Sequence, residues 1–206
     1  MSFRIEKKIA IYKNNISNFR NYILEDNFSV TFPNREIFSI YFDTNDFQMF
    51  RDSVEGIVPR KKIRMRKYND LNSEEVFFEI KVSSVEGRYK TVNKINNHKK
   101  LLDLGYFDHN YGLCYPKIIV KYNRSYYKKK NVRITLDKNI AFSKYHKHNR
   151  LMFNAYNDYD CAEIKCNKLE DLENFDLDQI QIVRNSKYCN GINELFKNSA
   201  LYTEPF

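Results

Sequence analysis

Apolar and charged residues alternate along several segments of the chain, and this period of two predicts β-strands. The alternation is clear in Arg60 to Tyr68, Glu75 to Ser83, Val132 to Leu136 and Cys161 to Cys166. The start of the chain, from Phe3 to Tyr12, has the same pattern. Side chains two apart on a strand point to the same face. Each of these strands is therefore expected to have one apolar face and one charged, mostly cationic face.

The remaining elements follow from turn signals and from helical spacing of apolar residues. Further strands are predicted over Ile37 to Asp43, Arg88 to Val92 and Lys117 to Tyr126, with Pro33 and Asn34 breaking the chain before the first of these. Helices are predicted over Ile16 to Ile23, Phe47 to Ser53, Asn96 to Leu104, Leu169 to Leu177 and after Gly191. A loop is predicted over Lys138 to Asn149.

About eight strands, mostly in hairpins, with helices near the start, middle and end predict an α+β fold. We expect one domain over residues 1–206, because no linker rich in Pro, Gly or Ser interrupts the chain. The charged strand faces have two options: they lie on an open, solvated sheet, or they line the interior of a closed antiparallel β-barrel. The pattern alone leaves both open.

Composition favours a folded protein with an anionic partner. The chain has 206 residues, 42% of them hydrophobic and 16% aromatic, which is enough for a core. Its 35 Lys and Arg against 26 Asp and Glu give a formal charge of +9. Such an excess indicates nucleic acid, a nucleotide, a phosphate chain or a membrane surface as a partner. Charge alone does not choose among them.

The four cysteines match neither a zinc site nor a disulfide framework, so free thiols in a reducing cytosol are predicted. No apolar run is long enough to cross a bilayer, and a cytoplasmic location is expected. The chain has no P-loop, G-x-S-x-G or H-E-x-x-H motif. His146 and His148 form an H-x-H in a charged loop, for which a surface role is predicted.

Cations that converge on one cavity would repel one another. Two like charges about 7 Å apart repel by about 2.4 kcal/mol at an effective dielectric near 20. A convergent arrangement therefore needs anions or carboxylates to offset it. Glu6, between Arg4 and Lys8, and Glu163, beside Lys165, are carboxylates of this kind. They act either as salt-bridge partners or as ligands of a divalent metal, and spacing does not decide between the two.

The charged segments occur in an order that resembles the polyphosphate polymerase domain of the vacuolar transporter chaperone (VTC) family, within the triphosphate tunnel metalloenzymes. Nine short segments carry the resemblance, from Phe3 to about Gly191: Phe3–Lys8, Ser39–Thr44, Lys62–Tyr68, Phe78–Lys81, Gly87–Lys90, Val120–Arg124, Val132–Asp137, Ala162–Lys165 and Asn185–Tyr188. The resemblance implies a closed antiparallel β-barrel, a triphosphate tunnel with a basic interior. It also implies transfer of the terminal phosphate of ATP to a growing polyphosphate chain, with release of ADP.

The resemblance also implies roles for individual residues. The residues expected at the reacting phosphates are Arg64, Arg66, Lys81, Arg133 and Lys187. Those expected to bind the rest of the substrate are Lys8, Lys90, Arg124, Arg184 and Lys165. Glu163 and Glu6 would hold Mn²⁺ or Mg²⁺. Strict alternation places Arg124 with Ile118, Val120 and Tyr122, so a tunnel position for it would need a bulge or bend before it.

One departure from the family pattern bears on the reaction. Hydrolytic tunnel enzymes commonly begin with two alternating glutamates, whereas here Arg4 precedes Glu6. This favours the polymerase branch over a triphosphatase acting on inorganic triphosphate or an RNA 5′ end. A non-catalytic module that binds polyphosphate or nucleic acid is the third interpretation. For the polymerase, the expected partners are ATP and polyphosphate, with no nucleic acid and with a membrane-protein partner for any coupling to transport.

Overall fold

The computed structural model describes residues 5–12, 15–147, 152–168, 170–172 and 182–197. Their strands are β1 (Ile5–Tyr12), β2 (Ser29–Asp43), β3 (Arg60–Tyr68), β4 (Val76–Ser83), β5 (Arg88–Ile95), β6 (Tyr106–Asp108), β7 (Gly112–Lys129), β8 (Val132–Lys144), β9 (Ala155–Tyr156) and β10 (Tyr159–Cys166). The helices are α1 (Ile16–Glu25), α2 (Gln48–Glu55), α3 (His98–Leu104) and α4 (Lys187–Phe196). One 3₁₀ turn covers Glu170–Leu172.

Hydrogen-bonded neighbours follow the order β1-β10-β8-β7-β2-β3-β4-β5, with β6 beside β7 and β9 beside β8. This confirms the prediction of an antiparallel sheet of many strands with a few helices. The order has two ends, β1 and β5, in the part of the chain that the structure describes. Closure of the sheet into a barrel is therefore not confirmed.

The chain divides into two compact units. Unit 1 comprises Met1–Glu36, Tyr122–Ile140 and Asn157–Ser186, and unit 2 comprises Ile37–Lys121, Ala141–Tyr156 and Lys187–Phe206. The single domain expected from the sequence stays a prediction. Each unit has its own core.

In unit 1 the core forms on the apolar side of strands β1, β8 and β10. Ile9, Ile134 and Ile164 are each about 1% exposed and belong to one cluster. Helix α1 covers this cluster with Ile23, which is fully buried, and with the half-buried Phe19. The apolar spacing that predicts α1 is therefore the face that this helix packs on the strands.

In unit 2 the core forms on one side of β2, β3 and β4, where Phe42, Ile63 and Phe78 pack together. Met49 of α2 and Leu101 of α3 join the same cluster. On β3, Ile63 has the strand parity opposite to that of Lys62, Arg64 and Arg66, whereas Lys61 and Lys67 share the parity of Ile63. The two-residue alternation thus separates the apolar face from the charged face in unit 2 as it does in unit 1.

Several boundaries differ from the sequence-based expectations, and three of the differences have a clear physical reason. Strand β2 begins at Ser29 and runs through Pro33, which is tolerated because residues 29–34 are all exposed. Strand β8 continues to Lys144, since the turn signal at Asn139 is realised as one left-handed residue (φ 53°) within the strand. Helix α4 begins at Lys187 and contains Gly191, where a Cβ would lie 2.7 Å from the Ile118 side chain.

One further prediction is confirmed, and another lies partly outside the described residues. All four cysteines are free thiols, as expected. No helix in the described ranges is long and apolar enough to cross a membrane. The helix predicted over Leu169 to Leu177 is a 3₁₀ turn at 170–172, and its remaining residues lie outside the described part, as do Arg4 and His148.

Candidate functional site

The charged side of β1, β10 and β8 in unit 1, termed here the first charged face, is built from cross-strand pairs. Lys8 lies opposite Glu163, which lies opposite Thr135. In the next row, Glu6 lies opposite Lys165, which lies opposite Arg133. Directly opposed residues in antiparallel strands have Cβ atoms about 5 Å apart. The face therefore brings together five of the predicted site residues.

Glu163 is the electrostatic centre of the first charged face. Lys165 Nζ lies 2.6 Å from a Glu163 carboxylate oxygen, and the Glu163 side chain is 17% exposed. Burial would raise the pKa of this carboxyl, but Lys165, Lys8 and Arg124 more than offset burial and lower the pKa to about 2. Glu163 is therefore ionised at neutral pH.

Arg124 joins the first charged face from β7. Its Nε and Nη2 donate to the two carboxylate oxygens of Asp137 at 2.5 and 2.7 Å. The guanidinium also lies 5.3 Å from the centre of the Tyr122 ring, so Arg124 keeps the strand parity of Tyr122. Burial would lower the pKa of Arg124, but Tyr122, Asp137 and Glu163 raise it above its usual range.

Lys8 is fixed by the segment that precedes α4. Its Nζ donates to the main-chain oxygen of Asn185 at 2.7 Å and lies 3.8 Å from a Glu6 oxygen. Asn185 is buried, and its Nδ2 has no hydrogen-bond partner among the described residues. A buried amide donor without a partner costs free energy unless an acceptor is supplied. Arg184, the residue before Asn185, is exposed.

The charged side of β2, β3, β4 and β5 in unit 2, termed the second charged face, also consists of cross-strand rows. One row is Tyr41, Arg64 and Glu79. A second row is Lys62, Lys81 and Lys90, three lysines directly opposite one another. Like charges placed directly opposite are destabilising. Strands β3 to β5 together contain one carboxylate, that of Glu79.

Glu79 is shared by three cations. Arg64 Nε donates to Glu79 Oε2 at 2.6 Å, Lys90 Nζ donates to Oε1 at 2.9 Å, and Arg66 Nη1 lies 3.5 Å from Oε1. The Glu79 side chain is 4% exposed. Burial would raise the pKa of this carboxyl, but Arg64, Arg66 and Lys90 lower it to about 2. One ionised carboxylate thus holds three cations in place and neutralises one.

Helix α4 brings Lys187 to the second charged face. Tyr188 stacks on the Tyr41 ring with centroids 5.1 Å apart, and its hydroxyl donates to the buried Asp43. Asp43 in turn accepts hydrogen bonds from the main-chain N–H groups of Met49 and Phe50 in α2. These contacts fix the first turn of α4, where Lys187 lies.

The pKa of Tyr41 indicates a positive potential on the second charged face. Its hydroxyl accepts a hydrogen bond from Arg64 Nη1 at 2.9 Å. Burial would raise the pKa of Tyr41, but Arg64, Arg66 and Lys187 more than offset burial and lower the pKa below its usual value. A phenol stabilised in its anionic form indicates a site that would also stabilise a phosphate oxygen.

The sequence-predicted residues fall into two groups, one in each unit. Lys8, Glu6, Arg124, Arg133, Glu163 and Lys165 lie on the first charged face, and Arg64, Arg66, Lys81, Lys90 and Lys187 lie on or beside the second. Glu79, Tyr41 and Asn185 were missed as site residues. The alternation in Phe-Glu-Ile-Lys places Glu79 on the same strand face as Lys81, and the alternation in Ile-Tyr-Phe separates Tyr41 from the core residues Ile40 and Phe42. Both residues could therefore have been identified, whereas nothing in the sequence indicates the buried amide of Asn185.

The residues of the first charged face fit a divalent metal that the substrate helps to hold. Among the described residues, no group of three or more His, Cys, Asp or Glu is placed to enclose a metal ion. Glu6 and Glu163 supply two carboxylates on one face, 13% and 17% exposed. Mg²⁺-type sites commonly use one or two carboxylates together with substrate phosphates and water.

Sequence comparison places the chain in a family. The VTC domain matches residues 3–196, which is nearly the whole chain. The chain therefore belongs to the VTC domain family, and the family recognised from the sequence is confirmed. No curated protein matches the chain.

Solved structures with a similar fold are tunnel-type adenylyl cyclase and triphosphatase proteins. The putative adenylyl cyclase HpAC1 from Hippeastrum, described as having a dominant triphosphatase activity, has a TM-score of 0.56 at 13% identity, over 97% of this chain and 99% of that one. A putative adenylate cyclase from Bacillus halodurans has a TM-score of 0.51 at 13% identity, over 100% and 95%. The PH1012 protein from Pyrococcus horikoshii OT3 has a TM-score of 0.50 at 18% identity, over 81% of this chain and 80% of that one. At these identities the likeness shows the fold alone.

Glu79→Gln is expected to lower the free energy of unfolding by about 3 kcal/mol at neutral pH, since one pKa unit corresponds to about 1.4 kcal/mol. The pKa of Glu79 in the folded chain is about 2, below its usual 4.5. The stabilisation is therefore complete above about pH 4.5 and is lost as the pH falls towards 2. Denaturant unfolding across this range measures it. Glu75→Gln, an exposed carboxylate paired with Lys94, is the matched control, and an equal effect there would contradict the assignment.

Proposed function

We propose that this chain is a polyphosphate polymerase that uses ATP as the phosphoryl donor. The observation that carries the proposal is the charge of the second charged face. Lys62, Arg64, Arg66, Lys81 and Lys90 lie there, and β3 to β5 supply one carboxylate. A phosphate chain offsets this excess and matches its linear spread across adjacent strands.

In this reaction, the bond between the γ-phosphorus of ATP and its bridging oxygen breaks, and ADP leaves with the electron pair. A terminal oxygen of the polyphosphate chain forms the new P–O–P bond. Such transfer depends on positioning and on neutralisation of charge at the phosphoryl oxygens. We assign the neutralising contacts at the reacting phosphates to four cations on or beside the second charged face: Arg64, Arg66, Lys81 and Lys187. Arg133, on the first charged face, is assigned to the binding of other phosphates of the substrate.

The remaining predicted cations would bind phosphates further from the reaction: Lys8, Lys90, Arg124, Arg184 and Lys165. Glu163 and Glu6 would hold Mn²⁺ or Mg²⁺. When bound, such a metal neutralises phosphoryl oxygens and lowers the pKa of a coordinated water. The main-chain oxygen of Asn185 keeps Lys8 beside Glu6, so that this lysine offsets the charge of the carboxylate pair when no phosphate is bound.

The depressed pKa values favour transfer to a phosphate chain over hydrolysis. Glu79 and Glu163 both have a pKa of about 2, so neither carboxylate accepts a proton efficiently at neutral pH. A terminal phosphate oxygen is already an anion and needs no base. Water, in contrast, must lose a proton as it attacks.

The carboxylate pair Glu6 and Glu163 favours a second candidate, a triphosphatase acting on inorganic triphosphate or an RNA 5′ end. Glu6 and Glu163 occupy adjacent rows of the first charged face. Two carboxylates that hold a metal supply the activated water that hydrolysis requires. Polymerase and triphosphatase therefore differ in the acceptor of the phosphoryl group and share the cationic contacts.

Incubation of the purified protein with ATP and Mn²⁺ separates these candidates. We expect ADP and long polyphosphate chains, detected by gel electrophoresis and degraded by an added exopolyphosphatase. Free phosphate without chains would contradict the polymerase and support hydrolysis. Tight polyphosphate binding without turnover of any nucleotide or triphosphate would support a non-catalytic binding module. The cytoplasmic location and the membrane-protein partner stay predictions.

A further inference from the structure

A cationic cavity lies at the β7–β8 hairpin of unit 1. Its volume is about 240 Å³. The hairpin contributes Lys128, Lys130 and Asn131, and the ends of β8 and β10 contribute Arg133, Lys165 and Asn167. The roles derived above use Arg133 and Lys165 and leave both hairpin lysines unexplained.

The chemistry of the lining defines the ligand class. Four of the lining residues are cations, and none of the lining residues is a carboxylate. Asp171 is a carboxylate next to the lining, where it accepts hydrogen bonds from Asn131 Nδ2 at 3.5 Å and from the Lys168 main-chain N at 3.1 Å. Primary ammonium and guanidinium groups with two side-chain amides are a donor set for phosphate oxygens. The cavity therefore suits an anion that carries several charges.

The cavity continues the first charged face. Arg133 lies opposite Lys165 across β8 and β10, and Lys165 contacts Glu163 at 2.6 Å. One row further along the strands is Lys8, opposite Glu163. An extended anion bound near Glu163 would therefore meet Lys165 and Arg133 next and the hairpin lysines after them. These cations follow one another along the strands, and this order suits the binding of a linear polyanion.

We propose that this cavity is a subsite for inorganic polyphosphate, which holds the part of the chain beyond the phosphates bound near Glu163. The inference rests on the proposed function for its substrate class. The Lys165–Arg133 row forms one edge of the cavity, and the hairpin lysines lie past this row, beyond the reach of a triphosphate bound near Glu163. The hairpin lysines would therefore contribute to the binding of long chains and not to that of tripolyphosphate.

The backbone at Lys130 permits a clean test. Lys130 has a left-handed conformation (φ 47°), which asparagine and glycine adopt more readily than lysine. Lys130→Asn removes the charge and introduces a residue that favours the left-handed conformation of this turn. A loss of binding in this variant is therefore not caused by a weakened hairpin. Lys128→Gln removes the second charge at an exposed position.

The experiment compares wild type with the Lys128→Gln/Lys130→Asn double variant in equilibrium binding of long inorganic polyphosphate and of tripolyphosphate, without ATP or metal. The control is Lys99→Gln/Lys100→Gln on α3, which removes the same charge from exposed positions elsewhere. We expect the hairpin variant to bind the long chain about tenfold more weakly, with a salt slope smaller by about one to two. Its affinity for tripolyphosphate is expected to match that of wild type.

Several outcomes would overturn the subsite: unchanged affinity for the long chain, an equal loss for tripolyphosphate, or an equal loss in the α3 control. A single-stranded oligonucleotide that binds as tightly as polyphosphate, with the same loss in the variant, would overturn the phosphate-chain assignment. Failure of the polymerase proposal is seen separately, in the ATP assay. The binding measurement needs no turnover, so the two results are independent.

Discussion

Arg64→Ala is expected to reduce turnover about 1,000-fold, within the range that a transition-state arginine contributes to phosphoryl transfer. Arg64 makes two short contacts with Glu79 and a hydrogen bond to Tyr41, and its guanidinium lies over the Tyr41 ring. The Arg64 side chain is 23% exposed, and these contacts hold its guanidinium in one orientation on the second charged face. Steady-state kinetics with ATP measure the loss.

The fold should tolerate Arg64→Ala. Glu79 keeps Arg66 and Lys90 as partners, and removal of one cation lowers the repulsion among the others. We expect the melting temperature to change by a few degrees at most. Arg64→Lys, which keeps the charge and loses the planar fork, is expected to retain intermediate activity. Lys99→Gln on α3 is the control. Marked unfolding of Arg64→Ala, with activity recovered in proportion to the folded fraction, would make Arg64 a structural residue.

Glu163→Gln is expected to raise the Mn²⁺ concentration that gives half-maximal activity about 100-fold. This is the upper end of the range of affinity losses that substitutions around a metal site cause. The amide keeps the size of the side chain and removes the charge that the metal needs. Titration of activity with Mn²⁺ measures the effect. The wild-type carboxylate has a pKa of about 2, so it is ionised throughout the assay range.

A purely structural role for Glu163 makes a different prediction. Loss of its ion pair with Lys165 would lower the melting temperature and leave the metal dependence unchanged. That result would contradict the assignment of Glu163 as a metal ligand. Glu86→Gln, at the β4–β5 turn, removes an exposed carboxylate from unit 2 and is the matched control.

The charged faces could be predicted from the sequence because strand parity is a local property. Arg64 and Arg66 lie on the side opposite Ile63 and Met65, and Glu163 and Lys165 on the side opposite Ile164, as the alternation requires. Strand β3 matches its predicted bounds, Arg60–Tyr68. Helix α1 follows from the apolar spacing of Ile16, Phe19 and Ile23.

Element ends that depend on distant contacts could not be predicted. Gly191 is typical of a helix boundary, but it lies inside α4, at a position where the Ile118 and Phe142 side chains leave no room for a Cβ. A loop is predicted from Lys138 to Asn149, yet β8 continues to Lys144, and the N–H of Asn139 donates to Asp160 at 3.0 Å. In both cases the decisive partner is far along the chain.

The contacts between residues within the site could not be predicted from local sequence patterns either. Arg124 keeps the parity of Tyr122 and still joins the first charged face, because Asp137 on β8 binds its guanidinium. The bulge or bend expected before Arg124 stays a prediction. The alternation in Glu75–Ser83 predicts a charged face that includes Glu79, but the sharing of Glu79 among Arg64, Arg66 and Lys90 depends on the register of three strands.

The central claim is that the charged faces bind a chain of phosphates, and the most direct test is the melting temperature in the presence of tripolyphosphate. A ligand at 100 times its dissociation constant stabilises the folded state by about 2.7 kcal/mol. For a chain of 206 residues this corresponds to a rise of about 5 °C or more. Sulfate at equal ionic strength should produce a much smaller rise. No shift at millimolar tripolyphosphate, or an equal shift with sulfate, would contradict the account.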